Sequence, residues 1–278
     1  MKSQLVPVSD LSASVRAEMF HLLQRHFSGV RIDVFQADLQ EKNWALLLRD
    51  TNGELKGFST ILFYNIAESA LNPDMDFTGQ VDPELDTMND HASSDDASSI
   101  NASSINASSI SIVYSGDTIM DPSAWSSMVL AKSWIDAINT LKTIYSTGSL
   151  YWFLISSGYR TYRFLPIFWK EFYPRYDAPT SPPMQHLMDC LAQEKFGDRY
   201  DAKAGVIRLD HPQTLRDSLA GIPEERLSDP HIEFFAQKNP TYDQGDELVC
   251  LAKICEENLT RAGRRMWLAT QSCDVKQA

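Results

Sequence analysis

A stretch without a single lysine or arginine divides this chain into two unequal parts. Residues 65–110 hold nine acidic residues and no basic one, and they end in a repeated Ala-Ser-Ser-Ile unit that begins at Ala97, Ala102 and Ala107. Small polar residues and repeated negative charges cannot bury enough apolar surface to offset the entropy lost on folding. We therefore predict an acidic, low-complexity, disordered insertion at residues 66–109, and a single domain formed by residues 1–65 and 110–278.

Outside that stretch, the composition is that of an ordinary folded protein. The 278 residues carry a net charge of −12, but without the nine acidic residues of the insertion 28 acidic residues face 25 basic ones. Nucleic-acid binding requires a basic face, so the chain is not expected to bind nucleic acid. With 43% hydrophobic residues, the chain is long and apolar enough to bury a substantial core.

Signals for export, membrane insertion and disulfide bonding are missing from the sequence. No uninterrupted apolar run approaches the roughly 18 residues of a membrane-spanning helix. The segment Met1–Pro7 lacks the apolar stretch of a secretory signal, and four cysteines are too few for a disulfide scaffold. We therefore expect a cytoplasmic protein with reduced thiols and no membrane span.

The common metal, nucleotide and hydrolase motifs are also missing. His21 and His26 are five residues apart, as are Cys250 and Cys255, so neither pair has the spacing of paired metal ligands. No metal site is therefore predicted. The sequence has no Gly-x-Ser-x-Gly elbow, no phosphate-binding Gly-x-x-x-x-Gly-Lys loop and no Gly-x-Gly-x-x-Gly dinucleotide motif.

Hydrophobic spacing and turn signals predict strands and helices that alternate along the chain. Asn52-Gly53 lies between two apolar runs, which is a strong hairpin signal. The uncharged run Leu150–Ile155 is typical of a strand that is buried on both faces. Strands are predicted over residues 44–48, 55–64, 111–118, 150–155, 205–209 and 247–254. Helices are predicted over residues 11–27, 33–41, 182–196, 212–220 and 255–269, after Asp121-Pro122, and over 159–173 with a break at Pro166.

This order indicates an α/β (α+β) fold with a central mixed, mostly antiparallel sheet that is flanked by helices. It resembles the Gcn5-related N-acetyltransferase (GNAT) superfamily over roughly residues 10–255. The core of that family is a strand, two helices, a three-strand meander, a central helix, a strand, a helix and two closing strands. The resemblance implies transfer of an acyl group from acyl-CoA, or from acyl-pantetheine on an acyl carrier protein, to an amine of a small molecule or peptide.

The resemblance also places the co-substrate. In the family, the strand before the central helix receives the pantetheine arm, and the turn into that helix presents backbone N–H groups to the pyrophosphate. In this chain that strand is 111–118, and the turn has neither the glycines nor the basic residue of the family between Asp121 and Leu130. This departure leaves open a carrier-protein donor or no co-substrate at all. The implied co-substrate contacts are Tyr114, Gly116, Thr118, Trp125, Ser126, Ser127, Arg160 and Arg163.

Catalytic and acceptor-binding residues follow from the same comparison. A tyrosine after the second core strand commonly protonates the leaving thiolate, which favours Tyr162 and then Tyr159. Asp117 at a strand end is a candidate base for the amine, or simply the cap of a turn. Asn239, Tyr242 and Asp246 lie in the loop before the last strand, so they are candidate acceptor contacts or ordinary turn residues.

Two alternatives to an acyltransferase remain. The chain could be a catalytically silent GNAT-like domain that binds a ligand or a protein, or an interaction domain of unrelated α/β fold. The aromatic residues bear on this choice, because 12 of the 29 lie within residues 144–176. Such a concentration is typical of a core between sheet and helix, or of an apolar cleft for a medium or long acyl chain.

Overall fold

The computed structural model describes residues 1–71, 109–124, 128–216, 219 and 221–269. In these ranges the chain forms a central eight-stranded sheet with helices packed on both faces. The sheet is mixed and mostly antiparallel, so the predicted fold class is confirmed. Among the described residues, no helix is long and apolar enough to cross a membrane.

The strands and helices are numbered in chain order. The strands are β1 (Lys2–Pro7), β2 (Phe27–Ser28), β3 (Trp44–Arg49), β4 (Leu55–Ala67), β5 (Ser109–Met120), β6 (Gly148–Ser156), β7 (Tyr200–Asp201), β8 (Val206–Ile207), β9 (Thr214–Leu215) and β10 (Glu247–Lys253). The helices are α1 (Ala13–His26), α2 (Ile32–Gln40), α3 (Val129–Tyr145), α4 (Tyr159–Tyr162), α5 (Phe164–Phe168), α6 (Pro182–Phe196), α7 (Pro230–Lys238) and α8 (Arg261–Leu268).

The strand order of the large sheet is β1-β3-β4-β5-β6-β10-β8-β7. Neighbouring strands are antiparallel except β5 and β6, which run parallel. Parallel neighbours need a crossover connection, and α3 is that connection. The strand β10, the last one within the described residues, lies between β6 and β8, on the side of β6 that faces away from its parallel partner β5.

Side-chain alternation distributes the core between the two faces of the sheet. Phe58 and Leu62 of β4 point to one face, where Phe58 packs in the cluster of α1 and α2, and Leu62 packs against the cluster of α6. Ile61 and Phe63 point to the other face and pack with α3, α7 and the residues around α5. The period of two in β4 therefore gives each face of the sheet its own hydrophobic layer.

Local signals predict the hairpin and the buried strand correctly. The chain reverses between Asp50 and Glu54, with Asp50 N–H donating to the Glu54 carbonyl at 3.0 Å. Gly53 has a φ of 84°, in the left-handed region that favours glycine. The strand predicted over 150–155 is β6, which lies between β5 and β10 and is buried along most of its length.

Three predictions on the elements are wrong or incomplete. The helix expected over 212–220 is not seen before Arg216, because Thr214 and Leu215 pair as β9 with β2. The structure also contains the strand β1 and the helix α7, neither of which is among the elements predicted from the sequence. Asp229 caps α7 by accepting from the His231 N–H at 3.0 Å, and Pro230 occupies its first turn.

Ordered structure extends into both ends of the predicted insertion. The strand β4 continues to Ala67, a 3₁₀ turn covers Glu68–Ala70, and Leu71 is buried against the α6 cluster. The strand β5 begins at Ser109. The rest of the predicted insertion, residues 72–108, lies outside the described residues.

A buried histidine joins α1 to the end of β5. Nδ1 of His26 lies 2.9 Å from the Leu22 carbonyl oxygen, and Nε2 lies 2.9 Å from the Met120 carbonyl oxygen. Next to this contact, Arg25 donates to the buried carboxylate of Asp121 at 2.6 Å. The C-terminal end of α1 is thereby fixed to the residues that lead from β5 towards α3.

We expect His26→Phe to lower the free energy of unfolding by about 1–3 kcal/mol, because the phenyl ring cannot donate a hydrogen bond to the buried carbonyl oxygens that face it. The matched control is His21→Phe, which alters an exposed histidine on the same helix and is expected to change stability by less than about 0.5 kcal/mol. Urea denaturation followed by circular dichroism measures both. Equal effects of the two substitutions would contradict a structural role for His26.

Candidate functional site

The parallel strands β5 and β6 separate at their C-terminal ends. They pair from Ser109 and Gly148 as far as Ser115 and Leu154. Beyond that point β5 continues to Met120 and stays paired with β4, while β6 continues to Ser156 and stays paired with β10. A gap therefore opens in the middle of the sheet, and no described strand pairs with the facing edges of β5 and β6 there.

A β-bulge in β5 lies at the start of this gap. Ser115 pairs with Ile61 and Thr118 pairs with Ser59, so Gly116 and Asp117 together face the single residue Thr60. A bulge bends its strand and redirects side chains, and bulges are common next to active sites. Here it turns Asp117 towards the α2 face of the sheet, where Asp38 is close enough to affect the ionisation of its carboxyl group.

An apolar cavity of about 40 Å³ lies on the α3 face of the gap. Trp134 of α3 and Trp152 of β6 pack there with ring centroids 4.5 Å apart, and Trp152 Nε1 donates to Ser115 Oγ at 2.9 Å. The buried Nε1 of Trp169 has no hydrogen-bond partner among the described residues. The other lining residues are Gly116, Thr118, Leu130, Ala131, Ile135, Leu154, Ile155, Thr161, Phe164 and Phe168.

A group of charged side chains lies on the opposite, α2 face of the gap. The side chain of Lys42 is fully buried, and its Nζ donates to the Asp38 carboxylate at 2.6 Å and to the Asp38 carbonyl at 3.0 Å. Asp117 of β5 belongs to the same group, because the charges of Asp38 and Lys42 affect its ionisation. Glu247 of β10 belongs to it as well, because the charges of Asp117 and Asp38 oppose its ionisation. We call Asp38, Lys42, Asp117 and Glu247 the acidic recess.

Two carboxyl groups of the acidic recess hold their protons unusually tightly. Asp117 is half-buried, and the protein packed around its carboxyl group weakens the hydration of the charged form. This desolvation, with the charge of Asp38, raises its pKa to about 7 against the opposing effect of Lys42. Desolvation, followed by the charges of Asp117 and Asp38, raises the pKa of Glu247 to about 8. Near neutral pH, therefore, Asp117 can both accept and release a proton.

Glycine at position 116 allows Lys42 to reach the acidic recess. A Cβ atom on residue 116 would lie 2.5 Å from Thr60 Oγ1 and 2.7 Å from Lys42 Cε, closer than real Cβ contacts. The glycine Cα thus leaves the space through which the lysine side chain passes. The same residue lines the cavity on the other face, so only one residue of backbone separates the cavity from the acidic recess.

The predicted co-substrate residues are only partly brought together. Gly116 and Thr118 line the cavity. Tyr114 faces the other side of the sheet, where the ammonium groups of Lys42 and Lys195 lie 5.4 and 4.5 Å from its ring centroid. Trp125, Ser126 and Ser127 lie outside the described residues.

The predicted phosphate-binding arginines have protein partners. Arg160 donates to the Leu219 carbonyl at 2.7 Å and lies over the Tyr159 ring. Arg163 lies 3.5 Å from the Asp229 carboxylate. Neither arginine lines the cavity.

The predicted catalytic tyrosines do not line the cavity either. The hydroxyl of Tyr162 donates to the Pro174 carbonyl at 2.9 Å, and its ring is fully buried against Phe172 and Phe235. Burial raises the pKa of Tyr162 above its usual value. Tyr159 is buried next to it. The roles of both tyrosines as proton donors stay predictions, but the structure gives the Tyr162 hydroxyl a partner in the core.

The three predicted acceptor contacts stabilise their own loop. The Asn239 side chain is buried and donates from Nδ2 to the Asp246 carbonyl at 2.8 Å. The Asp246 carboxylate accepts from Thr241 Oγ1 at 2.6 Å and from Arg208 at 3.2 Å. Tyr242 packs on Phe235 with ring centroids 5.7 Å apart. These contacts are those of turn residues, which was the alternative interpretation.

Sequence reasoning missed most of the acidic recess. Asp38 and Lys42 have the i, i+4 spacing of an ordinary exposed helix pair, and Glu247 resembles a strand-end charge. Their common location depends on the long-range pairing of β10 with β6 and of β5 with β4. Asp117 was found because it follows a glycine at a strand end, a local signal. In the described ranges, no group of three or more His, Cys, Asp or Glu is arranged to hold a metal ion.

Comparisons with known proteins do not identify a family. No protein-family model matches the chain, and no curated protein is similar to it. Two solved structures of the BH1408 protein from Bacillus halodurans, each 15% identical, are similar to parts of it. The match to a single-substitution mutant covers 55% of this chain and 81% of the mutant chain, with a TM-score of 0.30. The match to a tetramutant covers 65% of this chain and 97% of the tetramutant chain, with a TM-score of 0.35.

We expect Gly116→Ala to lower the free energy of unfolding by about 1–3 kcal/mol, because the new methyl group forces Lys42 or Thr60 to move in a packed interior. The matched control is Gly221→Ala, where a Cβ atom would meet no atom within 4 Å. Urea denaturation of both variants measures the difference. If Gly116→Ala is as stable as the control, the packing of the Lys42 side chain does not require glycine at position 116.

The raised pKa values predict a loss of stability as the pH rises. The folded protein keeps the protons of Asp117 and Glu247 up to about pH 7 and 8, whereas the unfolded chain loses them at about pH 4. The contribution of these two groups to stability therefore falls between about pH 4 and 8 and stays constant above this range. Asp117→Asn and Glu247→Gln should each reduce this slope in urea denaturation from pH 5 to 9. An unchanged slope in both variants would contradict the raised pKa values.

Proposed function

We propose that this chain is a GNAT-like acyltransferase that moves an acyl group from a pantetheine thioester to an amine. The observation that carries the proposal is the position of Asp117. This carboxyl group has a pKa near 7 and lies at the bulge where β5 separates from β6. The residue before it, Gly116, is one of those that line the apolar cavity. A base for the amine and a place for the acyl group thus meet at one gap in the sheet.

The parted strands support binding of an extended, amide-containing arm. Beyond Ser115, the β6-facing edge of β5 has backbone N–H and C=O groups without a strand partner. A pantetheine arm carries two amide groups, and an extended chain can pair with such an edge as an added strand. Backbone N–H groups at the same edge would polarise the thioester carbonyl during attack.

The reaction needs one base for the amine and one proton for the leaving thiolate. Asp117 takes a proton from the ammonium form of the acceptor, and the free amine then attacks the thioester carbonyl. The new C–N bond forms, the C–S bond breaks, and the amine nitrogen loses its second proton as the thiolate becomes a thiol. A carboxylate with a pKa near 7 suits this exchange at neutral pH, because it is available as a base yet gives the proton up again.

The size of the cavity favours a short acyl group. Its volume of about 40 Å³ and its apolar walls suit a small aliphatic group better than the medium or long chain expected from the aromatic content. At the turn into α3, the buried Asp121 carboxylate is paired with Arg25, and Lys132 in the first turn of α3 is paired with Asp136 at 2.9 Å. Acyl-CoA and an acyl carrier protein therefore both remain candidate donors.

A catalytically silent, ligand-binding domain of the same fold is the second candidate. It is favoured by Tyr162, the expected proton donor, whose hydroxyl is bonded to the Pro174 carbonyl. Turnover distinguishes the two candidates, because the silent domain would bind a thioester without consuming it.

We expect Asp117→Asn to lower kcat about 10²–10⁴-fold, because the amide cannot take the proton of the amine. In the wild type, kcat/KM should rise with pH to a plateau above about pH 7, as Asp117 ionises. Release of free thiol from acetyl-CoA and acetyl-pantetheine, with a panel of primary amines, measures both quantities.

The control for this substitution is Asp243→Asn, which alters an exposed aspartate outside the gap and should leave turnover unchanged. Full activity of Asp117→Asn would remove Asp117 from the mechanism. No thiol release from either donor by the wild type would leave the silent domain as the better candidate.

A further inference from the structure

A pair of tryptophan rings lies at one end of the apolar cavity. Trp134 of α3 and Trp152 of β6 both line the cavity, with ring centroids 4.5 Å apart. Trp152 pairs with Val113, two positions before the last pair between the parallel strands, Ser115 and Leu154. The two rings therefore lie where β5 and β6 are still paired.

From these rings the cavity extends towards the gap. Gly116 and Thr118 of β5 and Ile155 of β6 also line it, and all three come after the last pair between the two strands. Under the proposed function, the thioester lies at the unpaired edge of β5, so its acyl group enters the cavity from the gap. The far end of that acyl group then meets the two tryptophan rings.

The two rings are fixed in different ways. Trp152 lies in β6 between β5 and β10, and its Nε1 donates to Ser115 Oγ at 2.9 Å. Trp134 belongs to the covering helix α3, and its indole makes no hydrogen bond with the described residues. Trp152 is thus part of the bonded structure of the sheet, whereas Trp134 contributes apolar volume alone.

We infer that the indole of Trp134 determines the length of the acyl group that the donor carries and limits it to about two or three carbons. This inference rests on the proposed acyl transfer. The cavity has a volume of about 40 Å³, whereas a protein cavity that binds benzene measures about 150 Å³. A longer chain would have to displace the indole of Trp134, because Ser115 fixes the ring of Trp152.

Binding of thioethers, which have no acyl group to transfer, tests the inference. The probes are the S-ethyl, S-butyl and S-hexyl thioethers of coenzyme A and of pantetheine, titrated by calorimetry. We expect the wild type to bind the S-ethyl thioether about tenfold more tightly than the S-hexyl thioether, because the longer chain overpacks the cavity. Trp134→Leu enlarges the cavity and should reverse this order, with a gain of about fourfold for each additional methylene group that becomes buried.

Two further variants complete the experiment. The matched control is Trp44→Leu, which alters a half-buried tryptophan that does not line the cavity and should keep the wild-type order. Trp134→Phe removes less volume than Trp134→Leu and should shift the preference in the same direction by a smaller amount. It takes the place of Trp134→Leu if the loss of the larger group prevents folding.

The outcomes separate the inference from the proposed function. A shift towards longer chains in the Trp134 variants, with none in Trp44→Leu, supports the inference. Relative affinities that are the same in the wild type and both Trp134 variants would overturn it, even if thiol release from acetyl-CoA shows acyl transfer. No binding of any thioether to the wild type would overturn it as well. If chain length depends on Trp134 but no thiol is released from acetyl-CoA or acetyl-pantetheine with any amine, the acyl transfer fails while the role of Trp134 in binding stands.

Discussion

The candidate site depends on the loss of pairing between two parallel strands. The strands β5 and β6 are hydrogen-bonded over their first seven pairs and then separate, while each stays bonded to its outer neighbour. The bulge at Gly116 and Asp117 contributes to this separation by bending β5 at the same place. The apolar cavity, the acidic recess and the unpaired strand edges all follow from this one change in the sheet.

Few interactions stabilise the charged side chains that are buried near the gap. Lys42 is compensated by Asp38, whereas Asp117 and Glu247 are desolvated without a partner, and their raised pKa values express that cost. Unpaired, desolvated carboxyl groups reduce stability at neutral pH, so packing alone does not account for them. The proposed function would account for them, since function commonly retains groups that folding disfavours.

Local signals account for much of the fold and for little of the site. The Asn52-Gly53 turn, the uncharged run of β6 and the proline-initiated α6 are short-range features, and each forms where the sequence predicts it. The segment around Thr214 was mispredicted because its pairing with Phe27 and Ser28 overrides its own helical pattern. Glu247 and Lys42 could not be assigned from local pattern, because their common position is set by strand pairings between distant parts of the chain.

The cavity and the acidic recess lie on opposite faces of one sheet, and Gly116 adjoins both. Under the proposed function, the two substrates would approach the gap between β5 and β6 from opposite faces of the sheet. If so, neither substrate would block the path of the other, and the acyl group would pass directly between two substrates bound at the same time. Such an arrangement needs no covalent acyl-enzyme, and its steady-state kinetics would be those of a ternary complex in which the order of addition is free.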